Sequence, residues 1–492
     1  MKMNFAEAAK KTTEFTLTEN GAFAYNTAAQ GALLDMFSVA GALRSRSEGE
    51  IIAKFKDAFA EDALLATKLL FYAGNIRGGL GERRTFQICL NWLAQNHPEI
   101  AIKNIMNVPY FNRWDILIKA YLGTDAEDQM WTVVEQQLRQ DCHNYYEKQP
   151  ISLLAKWLPS VNASSKATRR LAKIAFRKLH FFNEKEYRTV IHQLREYLRV
   201  VENLMSHGRW EEINYEAVPS KAMLRYRNAY VKRDNERFRE YQQKLTKGEA
   251  KINASTLYPY DLVEKYTKHG WCGQIKEDEI VEAQWKALPN YLTKPKNILV
   301  MADVSGSMSG RPMDTSVGLA IYFAERNQGD YHNLYMTFTN KPHYVQIKEE
   351  ATLAQKVHQV MATDVGYNTN LEKAFETILK TAVTRNVSSE NMPEALVVIS
   401  DMEIDNYMRW YGVDFVDEMK KRFEARGYQF PKLILWNVEA RKDTFLTQSQ
   451  DVIMISGHSP SQFKALINCL DKSGYEVMLE VLNDPMYDCV VI

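Results

Sequence analysis

A short loop of acidic and hydroxyl residues, DVSGS, follows an apolar run in the second half of the chain. It places Asp303, Ser305 and Ser307 at alternate positions, so one carboxylate and two hydroxyls recur along the loop. Two later segments, GYNTNL and SDMEID, add Thr369 and Asp401. Carboxylate and hydroxyl oxygens are hard ligands that suit Mg²⁺, Mn²⁺ or Ca²⁺. The sequence therefore predicts a divalent-cation site, most simply for Mg²⁺, with a position left open for a carboxylate or phosphate of a partner.

The overlapping segment GSMSG allows a second interpretation, in which Ser309 is the nucleophile of a serine hydrolase. Asp401 and His458 then follow in the chain order serine, aspartate, histidine that α/β-hydrolases use. However, no HGGG-type segment that could form an oxyanion hole precedes Ser309. This interpretation also gives no role to Asp303 or Thr369. The metal site is therefore the favoured hypothesis, and the hydrolase is a remote alternative.

Short apolar runs rich in Val, Ile and Leu alternate with helical stretches in the last 200 or so residues. A mostly parallel sheet that is covered by helices on both faces has this pattern. In such sheets ligands bind at the carboxyl ends of the strands, where Asp303 and Asp401 fall. The predicted strands span 297–305, 334–339, 395–400, 432–438 and 451–456, and the predicted helices span about 312–327, 370–384, 414–427 and 460–470.

The aspartate–serine–serine loop, Thr369 and Asp401 together resemble the metal-ion-dependent adhesion site (MIDAS) of a von Willebrand factor A domain, over roughly residues 295–492. The resemblance implies a Rossmann-like α/β fold with a mostly parallel sheet. It also implies that a divalent cation, held by the five residues named at the outset, docks a protein partner. The family's usual Gly-Gly-Thr segment is Gly-Tyr-Asn-Thr369 in this chain, which is one residue longer.

The first part of the chain has the apolar periodicity of successive helices, and residues 30–285 contain no alternating strand pattern. Gly and Pro punctuate the joins between these helical segments. The stretch 286–297, with two prolines and three lysines, is predicted to be a linker. We therefore predict an all-α module at 1–290 and an α/β domain at 291–492. The clearest helical segments are 60–74, 83–96 and 186–208.

Charge is distributed unevenly, although the net charge of the whole chain is +1. Residues 151–250 contain 21 Lys and Arg against 11 Asp and Glu, whereas residues 301–492 contain 18 against 26. Basic helices interleaved with aromatic side chains suit RNA. The aromatic residues in question are Tyr226, Tyr230, Phe238 and Tyr241. The basic residues predicted to contact RNA are Arg77, Arg83, Arg84, Lys166, Arg169, Arg170, Lys173, Arg177 and Lys178.

An all-helical region joined to a carboxyl-terminal A domain resembles the Ro, or TROVE, family of RNA-binding proteins. The segments IRGGLGER, AKWLPS and VPSKAM look still more like a domain-of-unknown-function family of the same layout. The Ro resemblance implies a HEAT-like helical repeat that closes into a ring, with RNA ends in its cavity and structured RNA outside. It favours a ribonucleoprotein component without enzymatic activity. The alternative is a protein-interaction scaffold whose basic helices are solvated or dock an acidic protein.

Composition limits the setting in which this protein works. Five scattered cysteines without a C-x-x-C pair predict reduced thiols, and neither a disulfide framework nor a zinc site. No apolar run reaches the roughly 18–20 residues that span a bilayer. The first residues, MKMNFAEAAKKTTEF, lack the apolar core of a secretory signal. We therefore expect a cytoplasmic protein of two or three domains that has no membrane partner.

Overall fold

The computed structural model describes residues 15–268, 277–292, 294–363, 369–404 and 415–492. Within these residues the chain forms 22 α-helices and eight β-strands. Helices make up most of the first part of the chain, and six of the strands form one mixed sheet in the last part. The predicted change from a helical region to an α/β region is therefore confirmed. None of the helices in the described ranges combines the length and the apolar character needed to cross a membrane.

The strands and helices are numbered in chain order. The strands are β1 (Phe15–Leu17), β2 (Phe23–Tyr25), β3 (Ile298–Ala302), β4 (Leu334–Thr337), β5 (Tyr344–Gln346), β6 (Ala395–Ser400), β7 (Lys432–Asn437) and β8 (Ile453–Ser456). The helices are α1 (Ala32–Val39), α2 (Glu48–Glu61), α3 (Ala63–Gly74), α4 (Arg83–Asn96), α5 (Pro98–Lys103), α6 (Asn107–Phe111), α7 (Trp114–Tyr121), α8 (Glu127–Tyr146), α9 (Leu154–Trp157), α10 (Lys166–Lys178), α11 (Glu184–Tyr197), α12 (Val201–Ser206), α13 (Ser220–Arg233), α14 (Asn235–Lys247), α15 (Pro259–Thr267), α16 (Glu279–Lys286), α17 (Arg311–Arg326), α18 (Leu353–Thr363), α19 (Leu371–Arg385), α20 (Phe415–Glu424), α21 (Gln462–Asn468) and α22 (Gly474–Leu482).

The observed elements follow most of the predicted ones and add several. The predicted helix 83–96 coincides with α4, whereas the predicted helix 186–208 is divided into α11 and α12. The division falls at Arg199, whose φ of 47° lies in the left-handed region and ends the first helix. The short strands β1, β2 and β5 and the helices α18 and α22 had no prediction. The predicted all-α character of residues 1–290 is wrong at its start, because β1 and β2 pair there as a short antiparallel hairpin.

The six-stranded sheet has the strand order β5-β4-β3-β6-β7-β8. All neighbouring strands are parallel except β4 and β5, which form an antiparallel pair at one edge. The chain leaves β3 toward β4 on one side and leaves β6 toward β7 on the other. Such a reversal opens a crevice at the carboxyl ends of the two central strands. Ala302 lies opposite Ile399, so the residues that follow β3 and β6 emerge side by side.

Both faces of the sheet are buried, as its continuous apolar strands require. On one face, Leu299 and Val398 belong to a core that includes buried residues of α19 and α20. On the other face, the ring of Trp436 lies 4.7 Å from the ring of Phe463 in α21. Phe323 of α17 packs against the same Phe463 ring at 4.8 Å. The sheet is thus the middle layer of a three-layer α/β arrangement.

The chain packs as two compact units, which we call the sheet unit and the helical unit. The sheet unit contains the described residues up to Leu69, residues 78–80 and residues 257–485, and the helical unit contains residues 70–77, 81–256 and 486–492. The predicted boundary after residue 290 follows the change in sequence pattern. Packing adds α15 and α16, together with the amino-terminal strands and first helices, to the sheet unit.

The predicted linker at 286–297 is packed against α17 in its described residues. The hydroxyl of Tyr322 donates to the carbonyl oxygen of Pro289 at 2.6 Å and accepts the backbone N–H of Tyr291 at 3.1 Å. Leu292 is 2% exposed. The stretch is therefore an irregular connection between α16 and β3, as predicted, but its apolar residues Leu288 and Leu292 are buried.

The aromatic residues predicted to interleave with basic ones on an RNA surface lie in the core of the helical unit instead. The ring of Tyr215 lies 5.2 Å from that of Tyr230, 5.0 Å from that of Phe238 and 5.4 Å from that of Tyr241. All three partners are buried, and Tyr226 is half-buried. The prediction that Tyr230, Phe238 and Tyr241 accompany the basic residues on an RNA surface is therefore wrong, because α13 and α14 have few aliphatic residues and use these rings to form their buried face. The role of Tyr226 stays a prediction.

Candidate functional site

Asp303 directly follows β3, and its side chain is only 1% exposed. Its backbone N–H extends the ladder of the sheet by donating to the carbonyl oxygen of Ile399 at 3.0 Å. Its Oδ1 accepts the backbone N–H of Ser305 at 2.9 Å, and its Oδ2 accepts the hydroxyl of Ser400 at 2.6 Å. These bonds hold the carboxylate at the carboxyl edge of the sheet.

The two serines of the loop bring their hydroxyls together. The Oγ atoms of Ser305 and Ser307 lie 3.1 Å apart. The 3₁₀ turn Gly306–Met308 produces this approach, since it curls the chain back immediately after Ser305. Gly310 then takes a φ of 89°, which favours glycine, and α17 begins at the next residue. The two serine hydroxyls therefore lie close together beside Asp303, as the spacing of the loop predicts.

Asp401 directly follows β6, the neighbour of β3, and is also 1% exposed. Its Oδ1 accepts the backbone N–H of Glu403 at 3.2 Å. Its Oδ2 is buried and accepts no hydrogen bond from the described residues. Among the described residues, the guanidinium of Arg441 forms an ion pair with Asp401, with Nη2 at 3.6 Å from Oδ2. A buried carboxylate oxygen without a donor is costly, and a bound cation would satisfy it.

Thr369 is buried two residues before α19 begins, next to Asn370, whose side chain caps that helix by accepting the N–H of Lys373 at 2.9 Å. A helix that connects parallel strands runs back along the sheet, so the start of α19 lies at the same carboxyl edge as Asp303. The preceding Gly-Tyr-Asn, whose extra residue departs from the A-domain pattern, lies outside the described residues. Thr369 is therefore placed at the correct edge, and its distance to the carboxylates stays a prediction.

Burial and neighbouring charge disfavour the ionised forms of both aspartates. Burial and the neighbouring Asp401 carboxylate raise the pKa of Asp303 from 3.8 to about 7, although hydrogen bonds from Ser400 and Ser305 oppose the shift. Burial also raises the pKa of Asp401, against the effects of the Glu403 N–H and the Arg441 charge. A divalent cation between the carboxylates would favour their ionised forms.

The donor set fits a hard divalent cation. Asp303 and Asp401 supply carboxylates, Ser305 and Ser307 supply hydroxyls, and Thr369 is a fifth candidate. Among the described residues, no group of three or more His, Cys, Asp or Glu side chains is arranged to hold a metal ion. A cation bound here would therefore depend on the hydroxyls and on water, which matches the preference of Mg²⁺ for keeping several waters.

We expect Mn²⁺ affinity to rise with pH between about 6 and 8, because Asp303 must lose a proton before it can bind a cation. The same shift sets the sign for stability. The native state of the metal-free protein holds the Asp303 proton to a higher pH than the unfolded chain does, so this residue's contribution to stability falls as pH rises from about 4 to about 7. Titrating Mn²⁺ at pH 6, 7 and 8 by electron paramagnetic resonance measures the effect, and an affinity that is independent of pH would contradict it.

The structure does not assemble the alternative hydrolase triad. The nucleophile elbow of such hydrolases has the pattern G-x-S-x-G, with the serine at its centre. The centre of the GSMSG segment is Met308, so the segment does not fit this pattern. Ser309 is exposed, whereas His458 is 1% exposed and its Nδ1 lies 2.6 Å from the hydroxyl of Thr315. No hydrogen bond joins His458 to Ser309 or Asp401 in the described part of the chain. Burial, together with the nearby cations of Arg44 and Arg311, holds the pKa of His458 well below its usual range.

Sequence reasoning missed the residues at the rim of the site. Arg441 lies in the loop after β7, and Glu19 lies in the turn between β1 and β2. The guanidinium of Arg441 is hydrogen-bonded to the carbonyl oxygen of Ser307 and forms an ion pair with Glu19 at 3.2 Å. Glu403 is 2% exposed, and its Oε1 accepts no hydrogen bond from the described residues. Only the SDME segment hinted at Glu403, and no local pattern indicated the other two.

Seven of the nine basic residues predicted to contact RNA divide into two groups. Lys166, Arg170, Lys173 and Arg177 are exposed on α10, whose inner face buries Ala172 and Ala175. The shared helix face that their spacing predicts is therefore present. One of the four also has an acidic neighbour, since Nζ of Lys173 lies 4.0 Å from Oε1 of Glu184. The other group makes local contacts. In that group, Arg169 donates to the carbonyls of Ala163 and Ser164, Lys178 pairs with Asp128 at 2.7 Å, and Arg77 donates to the Tyr110 carbonyl at 2.6 Å.

Arg83 and Arg84 are exposed in the first turn of α4. One strongly exposed aromatic residue that the sequence analysis did not single out follows α10 in the chain. Phe182, between α10 and α11, is 92% exposed. Its backbone N–H donates to the carboxylate of Glu186 at 2.7 Å, and the adjacent Asn183 caps α11. The backbone at Phe182 is therefore fixed to the start of α11, while its ring faces solvent.

Comparisons with known proteins place the chain among families without an assigned activity. A family model described as a domain of unknown function (DUF2828) matches residues 18–113 and 131–297, which together are more than half of the chain. A second model, also described as a domain of unknown function (DUF7788), matches residues 297–482. An uncharacterized protein of Acanthamoeba polyphaga mimivirus, L728, is 27% identical over 97% of this chain and 89% of its own length.

Proposed function

The chain belongs to the family described as a domain of unknown function (DUF2828), and we propose that this member is a non-enzymatic binding protein with two activities. Its sheet unit docks a partner through a divalent cation at the Asp303–Asp401 site. Its helical unit binds RNA through the exposed face of α10. The combination is that of a ribonucleoprotein component of the Ro type, with a von Willebrand factor A-like domain at its carboxyl-terminal end.

One observation carries the cation activity. Two buried carboxylates follow the adjacent central strands at the point where the strand connections reverse, and two hydroxyls lie 3.1 Å apart beside them. Asp303, Ser305, Ser307 and Asp401 would hold the cation, with Thr369 as the fifth candidate. The bound cation would supply a Lewis acid with an open position for an acidic group of the partner. Mg²⁺ is the cation we propose, because the donors are hard oxygens and few of them are charged.

The order of the strands supports the resemblance to a von Willebrand factor A domain. β3 is central, β4 and β6 flank it, and the edge strand β5 is antiparallel. The loop after β3, the start of α19 and the loop after β6 are the three segments that this family's metal site uses. We therefore assign the sheet unit to this architecture as a proposal.

The RNA activity rests on the charge of the region around α10. Residues 151–200 contain 11 Lys and Arg against 3 Asp and Glu. On α10 itself, four cations are exposed along one face, and the helix contains no acidic residue. Such a surface attracts a polyanion, and phosphate contacts make the affinity fall steeply with salt. The resemblance to the Ro family makes RNA the polyanion that we propose.

A binding experiment on the full chain tests both activities. Equilibrium dialysis against Mn²⁺ should give about one bound ion per chain, and a labelled RNA should be retained in a manner that weakens steeply as salt rises. Binding of neither would contradict the proposed function. Retention of an acidic protein but of no RNA would favour the scaffold alternative for the helical unit.

We expect Phe182→Ala to weaken the binding of single-stranded RNA by roughly 5- to 100-fold, since base–aromatic stacking contributes about 1–3 kcal/mol per base. The salt dependence should not change, because the ring makes no phosphate contact. Tyr146→Ala provides the control, since Tyr146 is a 77% exposed ring of the same unit outside α10. Fluorescence anisotropy with a single-stranded and a duplex RNA measures both variants. Equal affinities for wild type and Phe182→Ala would show that the ring does not stack on RNA.

A further inference from the structure

We propose that Arg441 is a built-in competitor of the cation, held over the site by Glu19, so that the chain closes its own metal site. This inference rests on the proposed cation site. It concerns two residues that the A-domain resemblance does not assign. It also explains why a cleft with two buried carboxylates can persist in a folded chain before a cation binds.

The guanidinium of Arg441 lies where it can offset the negative charge of the cleft. Nη2 donates to the carbonyl oxygen of Ser307, in the loop that carries the hydroxyl ligands, and lies 3.6 Å from Oδ2 of Asp401. That Oδ2 is the oxygen for which the described residues supply no hydrogen-bond donor. An arginine stays charged at all physiological pH values. A divalent cation that binds Asp401 must therefore displace this charge or tolerate its repulsion.

Glu19 fixes the other end of the guanidinium. Its carboxylate pairs with Nη1 of Arg441 at 3.2 Å, and its backbone N–H donates to the carboxylate of Glu403. The flanking residues bind the loop that carries Asp401. The hydroxyl of Thr18 donates to the Ile404 carbonyl at 2.7 Å, and the amide of Asn20 donates to the Glu403 carbonyl at 2.7 Å. The turn between β1 and β2 is thereby attached both to Arg441 and to the loop that carries Asp401.

The turn is anchored independently of the site. Tyr25, in β2, exchanges both backbone hydrogen bonds with Phe445, four residues after Arg441. Further along the amino-terminal segment, the N–H of Gly41 donates to the hydroxyl of Ser456 at 2.9 Å. A Cβ at Gly41 would lie 2.3 Å from the Ser456 carbonyl oxygen, so only glycine permits this approach. Opening the site therefore requires movement of the Arg441 side chain and not release of the whole segment.

The arrangement also defines the chemistry of the partner. Glu19 is a carboxylate at the rim that already pairs with Arg441. An acidic side chain of a partner would bring the same group to the same place, where it could pair with the displaced Arg441 and reach the cation. Arg441 is then the residue that couples cation binding to recognition of an acidic partner.

The test is to titrate the full chain with Mn²⁺ alone and to follow the free ion by electron paramagnetic resonance. Arg441→Ala should bind Mn²⁺ roughly tenfold more tightly than wild type, because it lacks the competing charge-assisted contacts. Arg441→Gln should show a similar gain, since it removes the charge while keeping a polar side chain of intermediate length. The backbone carbonyl of Arg441, which Arg46 binds at 3.1 Å, is unchanged in both variants.

Lys442→Ala is the matched control. Lys442 is an exposed cation one residue away, so its removal changes the net charge equally without opening the site. We expect its Mn²⁺ affinity to stay within about twofold of wild type. Two results would overturn the competitor proposal without contradicting the cation site. One is an equal gain of Mn²⁺ affinity in Lys442→Ala, and the other is binding by wild type with the same affinity in both Arg441 variants. Absence of binding in wild type and in both Arg441 variants would instead overturn the cation site itself.

Discussion

Replacing Asp303 with alanine is expected to abolish the binding of Mg²⁺ or Mn²⁺ to the folded chain. Asp303 supplies one of only two carboxylates in the proposed ligand set, and the number of charged ligands sets the affinity of such sites for divalent cations. We expect Mn²⁺ affinity to fall on the order of 100-fold or more, measured by isothermal titration calorimetry. Asp303→Asn should bind as weakly while keeping the volume of the side chain and a hydrogen-bond acceptor for the Ser400 hydroxyl.

Ser309→Ala is the control for this prediction. Ser309 belongs to the same loop but is exposed and lies outside the donor set, so its replacement should leave Mn²⁺ binding unchanged. Thermal unfolding of each variant checks that the fold is retained. If Ser309→Ala abolished an esterase activity or labelling by a fluorophosphonate, and Asp303→Ala did not, the metal interpretation would be wrong.

Reversing the charge of Lys166, Arg170, Lys173 and Arg177 to glutamate is expected to weaken RNA binding by roughly 100-fold or more at low salt. All four side chains are exposed, and the buried face of α10 comes from Ala172 and Ala175, so the helix should remain folded. Phosphate contacts carry little sequence information, so the decrease should be similar for different RNA sequences. The slope of log affinity against log salt should become shallower by roughly 0.7–0.9 for each phosphate that the variant no longer neutralises.

A matched charge reversal distinguishes the α10 face from the overall field of the unit. Arg139, Lys148, Lys232 and Arg233 are exposed cations of the helical unit outside α10, and their replacement by glutamate changes the net charge by the same amount. We expect a much smaller decrease of RNA affinity in this control. Equal decreases in the two quadruple variants would mean that α10 has no special role. Unchanged RNA affinity in the α10 variant would mean that RNA binds elsewhere on the chain. Both quadruple variants should bind Mn²⁺ with the same affinity as each other.

The parts of the structure that sequence could predict are those set by local pattern. Apolar runs such as ALVVIS can be satisfied only as buried strands of a sheet covered on both faces, and β6 spans that run. The shared location of Asp303 and Asp401 could be predicted in the same way, since residues that follow parallel strands meet at one edge of the sheet. The spacing of cations on α10 likewise predicts a shared face, because helical geometry alone brings positions three and four residues apart together.

The parts that sequence could not predict depend on contacts between distant segments. Glu19 and Arg441 are separated by 422 residues along the chain, and each has the character of an ordinary surface residue in its local context. The sequence also did not show which aromatic residues are buried and which are exposed. Tyr230 and Phe182 both lie within three residues of a basic residue in the sequence, yet the first is fully buried and the second is 92% exposed. Which of the two faces solvent is decided by how the surrounding helices pack, and periodicity in so polar a stretch does not determine that.

The most direct test of the proposed cation site is a crystal of the full chain grown with Mn²⁺ and measured at the manganese absorption edge. We expect one strong anomalous peak in the crevice between β3 and β6, bounded by Asp303, Ser307 and Asp401, with the Arg441 guanidinium moved away from Asp401. An empty crevice at saturating Mn²⁺, with the Arg441 guanidinium still bound to the Ser307 carbonyl, would contradict the proposed site. An anomalous peak at another place on the chain would contradict it equally.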